Sequence, residues 1–385
     1  MTDAEAASLM LYNAERNVLE FASVKDEVIG ESGGDTLKAA VELKMGEGIA
    51  GWVAVKQKPL IIDDVQHDPR FFKEADKQTG FLTRNLISVP MAYKEELLGV
   101  INVLNSKEKL SFDIEDRELL ESFAHLAAVA IIRSRLLEVK LAQQKMEIQL
   151  GAAAKIQALF WPELPKLPSG SHAWGVSLPA AFVGGDLYDF IPMNDSSWML
   201  YVADVSDKGL PAALIMVALW SRIRAEALLH EDVDKLLEAV NDGMYNLMAE
   251  EGFFATIILG RYWPGSGRLQ LVRGGHLHPL WMNKDGLRSL QDMKGLSLGV
   301  IPKMTYEKKE IMLSPGEAVL FLTDGVTEAE NEQSELFGNG RLMDHIRKTA
   351  GPPWGKGLLD AVISWRGASS ANDDVTLLEI WRDSE

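Results

Sequence analysis

The chain has no cysteine among its 385 residues. That excludes disulfides, thiolate metal sites and a cysteine nucleophile, and it suits a reducing compartment. Basic residues are also scarce: 39 Lys and Arg stand against 56 Asp and Glu, a formal net charge of −17. Nucleic-acid binding draws on clustered Lys and Arg to displace counterions, so this balance argues against it. No apolar run approaches the roughly 20 residues needed to span a bilayer. The opening stretch Met1-Thr2-Asp3-Ala4-Glu5-Ala6-Ala7 lacks the basic segment of a secretory signal. A cytoplasmic protein with no membrane partner is expected. Internal repeats and low-complexity tracts are missing as well.

What is present describes a globular protein of more than one domain. Apolar residues make up 47% of the chain, and 385 residues exceed what one ordinary core holds.

Four aspartates stand out. Asp186 follows Gly184-Gly185. Asp204 closes the apolar run Trp198–Ala203. Asp324 ends the run Ala318–Thr323, and Asp373 opens the strand-like stretch Asp374-Val375-Thr376-Leu377-Leu378. Any one of them alone reads as a turn former. Four carboxylates at strand ends, far apart in sequence, can meet only in a folded site. Hard oxygen donors without cysteine or a clear histidine set select Mg²⁺ or Mn²⁺ over zinc. An all-carboxylate site for two such ions is suited to phosphate-ester hydrolysis.

The residues around these acids carry a resemblance. Val183-Gly184-Gly185-Asp186-Leu187-Tyr188-Asp189-Phe190, Ala203-Asp204-Val205-Ser206-Asp207-Lys208-Gly209, Gly274-Gly275-His276, Leu322-Thr323-Asp324-Gly325 and Asn372-Asp373-Asp374-Val375-Thr376 follow one another in order. Residues 150–382 so resemble the bacterial PPM-type (PP2C-like) serine phosphatases of the SpoIIE and RsbU branch. The resemblance implies an α/β/β/α sandwich holding two Mn²⁺ or Mg²⁺ ions. Asp204 would bridge them, with the backbone carbonyl of Val205 as a further ligand. Asp324 and Asp373 would each anchor one ion, and Asp186 would act directly or through a water. Asp189, Asp207 and Asp374 are adjacent acids that could support the ligands or hold a third ion. The implied substrate is a phosphorylated STAS-type anti-anti-sigma protein in a partner-switching pathway. The rival reading is a signalling scaffold, or a ligand-sensing dimer, that binds a phosphoprotein without turnover.

Two motifs invite other readings. His276 and His278 are expected on one strand face, but nothing supplies a third zinc-type ligand. Gly351-Pro352-Pro353-Trp354-Gly355-Lys356 has the wrong spacing for a phosphate loop and no strand leading into it.

The first 120 residues alternate strands and turns. The stretches 46–54, 62–71, 80–91 and 98–105 resemble a GAF domain, here without its usual first helix. Of the signature that marks cyclic-nucleotide-binding GAF domains, Asn105, Phe112 and Asp116 fit, whereas Ser106 and Arg117 depart from it. A small-molecule GAF ligand and an empty structural pocket both remain open. From Asp113 to about Phe160 the pattern is helical. Val129, Ile132, Leu136, Val139, Gln143, Met146, Leu150 and Ala153 fall on alternating a and d positions, all apolar but Gln143. A parallel two-stranded coiled coil is expected to make a homodimer.

The expected architecture is α/β and multidomain: a GAF sensor over 1–120, a coiled-coil linker helix over 121–160 and a PP2C-like domain over 161–385. Within the last, Pro211 opens a helix whose apolar face is read as Leu214, Val217, Ile223 and Leu228.

Overall fold

A computed structural model describes residues 3–26, 42–73, 76, 81–349 and 351–384. Gly80, where one GAF-like stretch begins, lies outside them. The chain divides into two compact units, Met1–Lys145 and Met146–Glu385.

The first unit is built on strands β1 (Ala4–Asn13), β2 (Val18–Asp26), β3 (Glu42–Lys44), β4 (Leu60–Ile62), β5 (Leu86–Tyr93) and β6 (Glu96–Ser106), in the sheet order β3-β2-β1-β6-β5-β4. Helix α1 (Gly48–Lys56) packs Ala50, Val53 and Ala54 against Met10, Leu19 and Val100. Helix α2 (Ile114–Gln157) begins in this unit and packs Leu120, Ala124 and Ala128 against Ile87, Val89 and Val103. The sheet is thus covered on both faces, as strand alternation of apolar residues requires.

A polar row crosses the sheet. Ser88 Oγ donates to Asn102 Oδ1 at 2.7 Å, and Asn102 Nδ2 donates to Ser8 Oγ at 3.1 Å, all three being buried. The signature residues are taken up by local structure. Asn105 accepts from the Arg84 amide and donates to Glu5 and to the Leu82 carbonyl. Asp113 and Asp116 each accept the other's backbone N–H, a reciprocal cap at the start of α2, and Lys109 bridges both.

The second unit is a four-layer sandwich. One sheet has the order β14-β11-β10-β9-β8, from β8 (Leu187–Pro192), β9 (Trp198–Val205), β10 (Ala255–Trp263), β11 (Arg268–Gly274) and β14 (Lys308–Met312). The other has the order β13-β12-β15-β16-β7, from β7 (Ser171–Leu178), β12 (Leu280–Asn283), β13 (Gly286–Ser289), β15 (Ala318–Leu322) and β16 (Val375–Arg382). Between them lie Phe190, Leu200, Val202, Ile258, Phe321, Leu378 and Ile380. Helices α3 (Leu210–Ala227) and α4 (Val233–Ala249) cover the first sheet. Helices α5 (Gly338–Lys348) and α6 (Gly355–Arg366) cover the second.

Two expectations are corrected here. Helix α3 buries Ala212, Ile215, Met216, Leu219 and Ile223, and leaves Leu214 and Leu228 exposed. Its first eleven residues are almost uniformly apolar, so more than one stripe satisfies the helical period. Nor do His276 and His278 share a strand face, because β11 ends at Gly274 and β12 begins at Leu280.

Candidate metal centre

The two sheets bring the predicted acids to one end of the sandwich. Asp186 stands immediately before β8 and Asp204 near the end of β9. Asp324 follows β15 in a short 3₁₀ turn, and Asp373 precedes β16 by two residues. Each sheet therefore contributes two carboxylates. Asp186 is 3% exposed, and the other three are half-buried.

Their electrostatics report the crowding. Burial raises the pKa of Asp186 well above the carboxylate range, and the charges of Asp204 and Asp374 push the same way. Asp204 is raised to about 7, first by burial and then by Asp324, Asp373 and Asp374, while a hydrogen bond with Asp186 pulls it back. Burial and Asp373 raise Asp324. Glu328 is raised by burial and by Asp324 and Asp373. The cation these acids face is Lys208, whose Nζ lies 2.9 Å from Asp373 Oδ2 and also bonds the Asn372 carbonyl. Burial draws Lys208 down, but Asp373, Asp374 and Asp324 hold its pKa above the usual lysine value.

Two further residues hold this cluster: Thr323, which carried no signal of its own in the sequence, and Asp374, expected there as a supporting acid. Thr323 Oγ1 donates to Asp186 Oδ2 at 2.7 Å and accepts from the Thr376 amide at 2.9 Å. Asp374 accepts from the amides of Ala180 and Gly185, both at 2.7 Å, and from Asp186 at 3.3 Å. With its oxygens on backbone, Asp374 fixes the chain around Asp186. Asp189 is fully buried and bonded to Arg224, Tyr201 and the Phe190 amide. Asp207 is exposed, at φ +66°.

His276 is buried, and its Nδ1 lies 2.7 Å from Thr256 Oγ1. Burial and Arg273 lower its pKa to about 3, so it stays neutral. His278 turns instead to the Met293 carbonyl. The 351–356 stretch has a structural use: Glu379 accepts the amides of Trp354 and Gly355 at the start of α6.

Among the described residues, no three Asp, Glu or His side chains are arranged as they stand to hold one metal ion. The mutual pKa shifts nonetheless place Asp204, Asp324, Asp373 and Asp374 within one another's field. A surplus of partly buried hard-oxygen donors beside Lys208 is the chemistry that divalent cations neutralise.

A profile of the family described as stage II sporulation protein E (SpoIIE) matches residues 194–383, and a GAF-domain profile matches residues 1–132. The chain carries a SpoIIE-type PP2C domain behind an N-terminal GAF domain. The match to the SpoIIE-type domain spans Asp204, Val205, Asp324 and Asp373 and begins after Asp186. Protein IcfG of Synechocystis is 28% identical over 280 residues, covering 64% of this chain and 43% of that protein. The mouse cone cGMP-specific 3′,5′-cyclic phosphodiesterase subunit alpha′ is 38% identical over 84 residues, 22% of this chain and 10% of that one. The chain thus spans less than half the length of these curated relatives. The solved SiaA-PP2C domain of Pseudomonas aeruginosa shares the fold, with a TM-score of 0.55 and 23% identity over 63% of this chain and 98% of that one.

Proposed function

We propose that the chain is a metal-dependent protein serine/threonine phosphatase regulated by its GAF domain. The observation that carries this is the meeting of Asp186, Asp204, Asp324 and Asp373 from four separate chain segments in one partly buried, electrostatically coupled cluster. Asp204 and the Val205 carbonyl, with Asp324, Asp373 and Asp186, would hold two Mn²⁺ or Mg²⁺ ions. Bound there, two divalent cations supply Lewis acidity and charge neutralisation for an in-line displacement at phosphorus. The chain's own residues do the positioning. Thr323 orients Asp186 through its hydroxyl. Asp374 fixes the backbone on which Asp186 sits. Lys208 keeps a positive charge at the rim, where a phosphate dianion enters.

The substrate in this reading is the phosphoserine of a STAS-type anti-anti-sigma protein, and the setting is cytoplasmic partner switching. Among the described residues no helix is long and apolar enough to cross a membrane. The linker of residues 121–160 dimerises as a coiled coil; Leu136, Val139 and Met146 of its seam are exposed in the single chain. A small molecule in the GAF domain is the proposed input.

The test is manganese-dependent hydrolysis of p-nitrophenyl phosphate and of a phosphoserine STAS protein, comparing wild type with Asp204→Asn. Turnover of both, abolished by EDTA and by Asp204→Asn, supports the full reading. Turnover of the small ester alone removes the STAS assignment. A folded protein inactive on both with manganese present, whether as the full chain or as residues 160–385, favours the scaffold.

A further inference from the structure

We infer that Gln157, the last residue of α2, is a positioning residue for the metal centre, acting on the backbone of Gly184; this rests on the phosphatase reading above. Gln157 is 4% exposed, although its neighbours Ile156 and Leu159 are largely exposed. The helix end thus buries an amide and leaves apolar side chains outside, the reverse of the ordinary preference. Both functions of that amide go to one residue. Nε2 donates to the Gly184 carbonyl at 2.7 Å, and Oε1 accepts the Gly184 amide at 3.1 Å. This is the pair of bonds a neighbouring strand would supply. Residues 183–186 belong to no strand, so without such a partner the Gly184 amide and carbonyl would lie buried and unpaired.

The opposite side of the same segment is closed. A Cβ on Gly184 would stand 2.2 Å from Asp374 Oδ2, and one on Gly185 would stand 2.8 Å from the Val205 carbonyl. Two residues without side chains therefore pass between Asp374 and Val205 with no means of anchoring themselves. Gln157 and Asp374 grip them from two sides, and Asp186 comes next. A lost grip at Gly184 lets Asp186 drift from the other carboxylates, which lowers metal affinity and turnover without a general loss of structure.

Three full-length proteins test this: wild type, Gln157→Met and Gln157→Glu. Methionine has similar length and no amide; glutamate still accepts from the Gly184 amide but cannot donate to its carbonyl. Hydrogen exchange of the peptide covering 183–189 is measured with Mn²⁺ affinity by calorimetry and with kcat and KM on p-nitrophenyl phosphate. For Gln157→Met, exchange at the Gly184–Asp186 amides should rise about tenfold while β10 and β11 keep theirs. Mn²⁺ affinity should fall roughly 10–100-fold, as for lost supports of metal ligands, and kcat should fall with KM little changed. Gln157→Glu should lie between, and its exchange decides the matter where Gln157→Met does not fold. Wild-type exchange in a folded variant, or raised exchange throughout the domain, overturns the inference. A wild-type enzyme without metal-dependent turnover defeats the phosphatase reading instead, and the exchange data still judge the clamp.

Discussion

Arg224 closes its guanidinium fork on the carboxylate of Asp189, Nε to Oδ2 at 2.7 Å and Nη2 to Oδ1 at 2.9 Å. Asp189 is fully buried three residues beyond Asp186, and the fork ties α3 to β8. The same guanidinium lies 4.7 Å over the Trp220 ring, which meets Phe160 edge-on at 4.8 Å. Arg224→Ala would leave a buried carboxylate with Tyr201 and one backbone amide. Removing one partner of a buried pair costs about 3–5 kcal/mol. The loss should be about 2–3 kcal/mol, because the Arg224 side chain is 40% exposed. Urea denaturation followed by tryptophan fluorescence measures it, and adding Asp189→Asn should recover part of it.

Thr323→Val removes the hydroxyl that holds Asp186 and accepts from Thr376. Manganese affinity should drop by roughly 10–100-fold, the usual cost of losing a support to a ligand. Thr323→Ser should retain most of the affinity. Equal manganese titrations for the valine variant and wild type would contradict this role.

Asp195 sets an acid limit to stability. It accepts from the Ser197 hydroxyl, Trp263 Nε1 and Arg261, which hold its pKa far below the ordinary aspartate value. A carboxylate whose folded pKa is depressed contributes stability above its unfolded pKa, near 4, and loses that contribution as pH falls. Between about pH 5 and pH 3 the wild type should lose more melting temperature than Asp195→Asn. Parallel curves for the two proteins would refute the assignment.

Glu379 caps helix α6 from the middle of a sheet, accepting the buried amides of Trp354 and Gly355. Burial raises its pKa, and those two amides oppose the rise. Glu379→Ala should cost about 2 kcal/mol, since two buried donors lose their acceptor. Chemical denaturation of the two proteins side by side gives the difference.

The proposed dimer has a direct check. Lysine at both Val139 and Met146 puts charge into an apolar seam, so the double variant should sediment as a monomer where wild type sediments as a dimer.

Much of this was legible in the chain, and what was missed has a physical pattern. The four aspartates could be read because three of them end apolar or glycine-rich stretches and Asp373 opens a strand-like one. The α2 helix could be read from acid in its first turn and an apolar period broken only at Gln143. Thr323 and Gln157 gave no such sign, and Asp374 showed as a supporting acid only through its place beside Asp373. Thr323 acts on another side chain, and the other two act on backbone groups, Gln157 across 27 residues and Asp374 across as many as 194. The buried face of α3 was misread because the helix is apolar on several sides. The histidine pair was misread because Gly275, at φ +72°, turns the chain out of β11 before His276.

The second sheet joins the first strand of its unit to the last. Among the described residues, strand β7 borders β16 and no other strand, and β16 also completes the pairing of β15. As the chain leaves the ribosome, β7 and one edge of β15 wait with open hydrogen-bonding groups until residues 375–382 emerge. A product cut short before Val375 would keep Asp186, Asp204, Asp324 and Asp373 and still expose two apolar strand edges. Such a fragment should aggregate rather than report a partly active enzyme.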